Sequence, residues 1–82
     1  PVATKVTLLL LAEGVQRTVE HLVRERSARV DRMRELTAAK HMPGTTLQEV
    51  LAADHALAHL DADLRWIDSA RRRIHDLEGE IA

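Results

Sequence analysis

The chain has no cysteine, no phenylalanine and no tyrosine, and Trp66 is its only aromatic side chain. Without cysteine there are no disulfides and none of the usual thiolate zinc sites. With Tyr and Phe absent and Ile and Thr sparse, the composition argues against a strand-built domain. Three isolated glycines (Gly14, Gly44, Gly79) form no phosphate-cradling loop. Long apolar stretches are missing too. The longest, Leu8 to Ala12, is far short of the ~20 residues that a membrane-spanning helix needs. With Lys5 ahead of it the run faintly resembles a secretion signal, but it is too short for that role. A reducing, cytoplasmic setting fits this composition. The chain opens on Pro1, which reads as a fragment or a processed product.

What remains is Leu, Ala, Arg and Glu, all strong helix formers. At 82 residues there is room for one domain, and a core of that size rarely yields more than about 3–5 kcal/mol of net stability. With disulfides excluded, a second subunit is the natural supplement.

Three helices are expected, at about 3–12, 15–40 and 46–80. Gly14 is placed as a left-handed stop after the first. His41-Met42-Pro43-Gly44 breaks the chain after the second. Thr45 or Thr46 caps the third, with Gln48 or Glu49 completing a capping box. The expected fold class is therefore all-α: a short first helix followed by a long antiparallel hairpin, dimeric and akin to a helical bundle or coiled coil.

Charge is segregated along the chain. Val15 to Lys40 carries seven basic and four acidic residues, a net of +3, and Thr45 to Ala82 carries four basic and eight acidic, a net of −4. Helices so biased attract modestly when antiparallel. The formal total of −1 argues against a surface that binds DNA directly.

The second helix carries an apolar stripe of Val15, Val19, Leu22, Val23, Val30, Met33 and Leu36, interrupted by Arg26 and Arg29. The third carries two. One is a core seam of Val50, Leu57, Leu60, Leu64, Ile67, Ile74, Leu77 and Ile81. The other is Ala58, Ala62, Trp66 and Ala70, where small residues admit close backbone approach and the indole seeks a partner surface. At 1.5 Å per residue the second helix spans about 39 Å and the third about 52 Å. The longer arm protrudes, and Ile74, Leu77 and Ile81 lack an intramolecular partner unless the first helix reaches them. The expected dimer interface is accordingly Ala58, Ala62, Trp66, Ala70, Ile74 and Leu77, with Trp66 and His59 the candidate contacts for a flat apolar ligand.

No catalytic constellation emerges, so an enzyme is not expected. His55 and His59 lie one turn apart with Asp63 a turn further, a spacing that suits a divalent ion. The zinc-protease pattern, however, needs a Glu directly after the first His, and Ala56 stands there. The expectation is no metal and no cofactor. Arg71-Arg72-Arg73 point in three directions among Asp68, Asp76 and Glu78, and read as a solvated face rather than a phosphate site.

The stretch LAADHALAHLDADLRWIDSARRRIHDL, residues 51–77, resembles the last helix of the PadR family of bacterial transcriptional regulators, with its Trp in the segment Leu64-Arg65-Trp66-Ile67. The opening ATKVTLLLLAEG resembles the start of that family's C-terminal domain, and VQRTVEHLVRERSARVDRMREL its long charged helix. Where the family often has aromatics before the opening Lys, this chain has Ala3 and Thr4. The resemblance implies a C-terminal dimerisation domain that pairs two winged-helix domains on DNA, contacts DNA only through that upstream domain, and answers to a small aromatic effector. The alternative is a free-standing helical adaptor that receives a partner protein's helix on the Trp66 face.

Overall fold

The structure is a computed structural model that describes residues 2–81, apart from the side chains of Ala12, Glu13 and 78–81. It is all-helical among the described residues: α1 (Val2–Glu13), α2 (Val15–Lys40) and α3 (Leu47–Ile81). The molecule measures 55 × 20 × 15 Å, its long axis close to the ~52 Å of α3.

The breaks have local causes. Gly14 joins α1 to α2 alone, with φ 84° and ψ −179°. This is not the left-handed helical stop expected there but an extended conformation at positive φ that is essentially confined to glycine. At the other end of α2, the Thr45 N–H reaches the Met42 carbonyl at 3.3 Å across Pro43 and Gly44, and Gly44 has φ 82°. Pro second and a positive-φ Gly third is the signature of a type II turn. Both threonines that follow are used. Thr45 Oγ1 donates to the Met42 and Ala39 carbonyls (2.6 and 3.1 Å) and closes the end of α2. Thr46 Oγ1 accepts the Glu49 N–H (3.2 Å) and donates to the Glu49 carboxylate (3.1 Å), which starts α3.

The core is small. Val6, Leu22, Ala53 and Ile67 are the buried apolar side chains among the described residues. Val6 from α1, Leu22 from α2 and Ile67 from α3 form one cluster, flanked by half-buried Val2, Ala70 and Ile74. The first helix thus does reach the C-terminal half of α3. Ala70 and Ile74, expected at a dimer interface, pack within the chain. Ile81, expected on the seam, lies outside the described side chains.

Two polar residues share this core. Thr18 tolerates full burial because its hydroxyl donates to the Gly14 carbonyl at 2.7 Å. His21 is buried with Nε2 lacking a hydrogen-bond partner, 3.6 Å from the Glu25 carboxylate.

Arg26 and Arg29, the interruptions in the α2 stripe, reach across to α3. Arg26 Nε lies 2.9 Å from Asp68 Oδ1 and Arg29 Nε 3.1 Å from Asp63 Oδ2, while Lys40 pairs with Asp54. Arg29 is the least exposed of these cations and also holds Glu25. That hydrogen bond keeps the Glu25 carboxyl below its ordinary 4.5, against the opposing pull of desolvation and with charge support from Arg29, His21 and Lys5. Because the folded carboxyl titrates below its unfolded value, its contribution is intact above pH 4.5 and fades as pH falls through the depressed value. Glu25→Gln is therefore expected to lower the melting temperature at neutral pH and to converge on the parent chain in acid. Parallel thermal melts from neutral pH to well below 4.5 check this, and a gap that stays constant with pH rules the pairing out as its source.

Candidate self-association surface

Helix geometry places Ala58, Ala62 and Trp66 on a side of α3 adjacent to the one that carries Ile67. All three are exposed, Trp66 at 38%. Leu77 is exposed as well, at 56%. Of the six residues expected at an interface, then, four are open within the single chain and two, Ala70 and Ile74, are half-buried against the core cluster. An indole on alanine-lined backbone offers a large contact at little entropic cost, because the small neighbours let a partner helix come close.

His55 and His59 share this side of the helix. Their rings meet edge-on, with centroids 4.7 Å apart and an interplanar angle of 61°. Asp63, the carboxylate spaced to join them, is turned instead toward Arg29 of α2. Among the described residues no group of three or more His, Asp or Glu side chains gathers as a metal site. His59 and Trp66 are seven residues apart on one face and both exposed, so they form an open surface rather than a cavity. A hollow of about 580 Å³ lies between α2 and the C-terminal half of α3, lined by Val15, Val19, Asp68, Arg71, Ile74 and His75, and neither Trp66 nor His59 borders it.

Helical periodicity did not single out the exposed face of α1. Leu8 is 62% and Leu11 82% exposed, although α1 is apolar on nearly every side. The only available signal was the lack of polar positions in Leu8 to Leu11. Arg71, Arg72 and Arg73 are all exposed, and the carboxylate of Asp68 is engaged by Arg26. No helix among the described residues is long and apolar enough to cross a membrane.

The arrangement among the described residues is three helices around a small core, with apolar side chains exposed on α1 and α3. Comparison with protein-family models, curated proteins and solved structures finds no match.

Proposed function

We propose that this chain is a non-catalytic dimerisation domain, the C-terminal part of a cytoplasmic, PadR-like transcriptional regulator that pairs two DNA-binding domains supplied by upstream sequence. The observation that carries the dimer is the amount of surface left uncovered. The chain exposes 6087 Å², whereas a compact monomer of 9.2 kDa exposes about 4,900 Å². The excess of about 1,200 Å² exceeds the ~800 Å² that each partner contributes to a standard interface. The radius of gyration, 16.1 Å, likewise exceeds the ~12 Å of a compact domain of this length.

An antiparallel α2–α3 hairpin is supported by the ion pairs, since partners step backward along α3 (Asp68, Asp63, Asp54) as the cations advance along α2 (Arg26, Arg29, Lys40). The exposed strip Ala58–Ala62–Trp66, with Leu77 beyond it, is the face that a second copy would cover. The regulator reading rests on the sequence resemblance together with this surface. A small aromatic effector would lie on Trp66 beside His59 and would act only by preferring one dimer geometry over another. The expected mass in multi-angle light scattering at micromolar concentration is that of two chains, and a clean single-chain mass overturns the reading.

A further inference from the structure

We propose that two copies pair antiparallel through α3, about a two-fold axis at Ala62, with each Trp66 indole covering Ala58 of the second copy. The proposal rests on the self-association argued above and assigns it an orientation and a register.

Leu47, Leu51, Trp66 and Leu77 are the large apolar side chains exposed on α3 among the described residues. At about 100° per residue they fall within an arc of about 120°, and the exposed Ala58 and Ala62 lie inside that arc. Ala62 marks its middle in both senses. It bisects the arc, and it stands midway between Leu47 and Leu77 and midway between Ala58 and Trp66. A two-fold axis there sets Leu77 against Leu47 of the second copy at each end of the contact, about 22 Å from the centre. Nearer the axis, the bulkiest side chain on the stripe covers one of the smallest: Trp66 lies over Ala58, with His59 of that copy alongside. Leu51 meets the aliphatic stem of Arg73. At its centre the stripe steps by four, the row that packs with a negative crossing angle, and the outer leucines drift in the same sense.

A parallel pair meets none of these conditions. Every residue then faces itself, so the two indoles collide while the two Ala58 methyls leave a gap. Charge makes the same distinction. Asp54, Asp61, Arg65 and Arg72 share one flank of the stripe. A two-fold axis perpendicular to the helices keeps that flank of both copies on the same side. In the antiparallel register Arg72 comes level with Asp54 of the second copy, and Arg65 with Asp61, each to within about 3 Å along the axis. The parallel register sets Asp54 against Asp54 and Arg72 against Arg72. Both carboxylates have partners within the chain, Lys40 and Arg65, yet remain about half exposed. A second cation can therefore join each at the rim, where it selects orientation more than it adds strength.

The same axis gathers the starts of the two α1 helices. Val2 borders a hollow with Glu25 and Arg29, and Arg29 bonds Asp63, the neighbour of Ala62. Both Val2 residues thus lie near mid-length of the dimer, the level at which two upstream domains would stand closest together.

No cysteine is present, so single cysteines report the register. His55 and Ser69 are equally spaced about Ala62 and face each other across the axis. An equimolar mixture of His55→Cys and Ser69→Cys chains, refolded together and treated with a short bismaleimide, is expected to give a covalent dimer. Either variant alone is expected to stay uncoupled, because its two thiols lie about 21 Å apart along the axis. Coupling of each variant to itself overturns the antiparallel register in favour of a parallel one. No coupling in any sample also overturns it, and a light-scattering mass of two chains then leaves the self-association standing on another contact. A single-chain mass overturns both. A large-for-small exchange tests the central contact. Ala58→Trp is expected to raise the dimer Kd at least ~10-fold by overpacking, and Ala58→Trp combined with Trp66→Ala is expected to pair more tightly than either single variant. A double variant that pairs more weakly than both overturns the Trp66–Ala58 contact.

Discussion

Trp66→Ala is expected to weaken the dimer by about 2 kcal/mol, a roughly 30-fold rise in Kd, if the indole anchors the contact as buried interface tryptophans do. The chain itself should keep its helicity, because Trp66 lies outside the Val6–Leu22–Ile67 cluster and is already 38% exposed. That separation of effects is what makes the variant informative. Sedimentation equilibrium across a concentration series gives Kd, and circular dichroism of the same samples gives helicity. An unaltered Kd would place Trp66 outside the contact, whereas a parallel loss of both signals would place it in the fold.

Ile67→Ala should do the opposite. Ile67 is fully buried where the three helices meet, and truncating such a side chain costs about 2–5 kcal/mol through lost burial and the cavity left behind. A domain of this size holds roughly 3–5 kcal/mol in reserve, so the variant is expected to lose most of its helicity at 25 °C or to melt at least ~10 °C lower. Dimerisation should fail with it, since the surface of α3 is presented only when the helix is packed. Retention of the parent melting temperature would mean that the cluster is not the core.

Much of this architecture was legible in the sequence, for reasons that sit on particular residues. Pro43 and Gly44 mark the turn because one lacks an amide hydrogen and the other accepts positive φ. Thr46 and Glu49 mark the start of α3 because their spacing satisfies an orphan amide. The opposed charge bias of α2 and α3 anticipated attraction between them, yet Arg26 and Arg29 read as flaws in an apolar stripe. They are where that attraction is made, and no one-dimensional pattern pairs them with Asp68 and Asp63, 42 and 34 residues away.

The candidate surface was only partly legible. The alanine and tryptophan spacing found a side of α3 that stands open, but Ala70 and Ile74 turned inward to pack against the Val6–Leu22–Ile67 cluster. That placement depends on the bend at Gly14, which periodicity does not encode. Burial of His21 was missed for the same reason: it follows from the packing of α1, not from any property of the α2 sequence.

The three cross-helix pairs carry a further consequence. Exposed ion pairs add little strength individually, and Arg26 and Asp68 are each about two-fifths exposed. Their spacing nonetheless works as a vernier. Sliding α3 by one turn, about 5.4 Å, would part all three pairs at once, whereas leucines on a smooth seam could re-pack a turn away. Salt should therefore blunt the alignment of the two long helices more than their adhesion, and a chain stripped of these charges would be prone to freeze out of register.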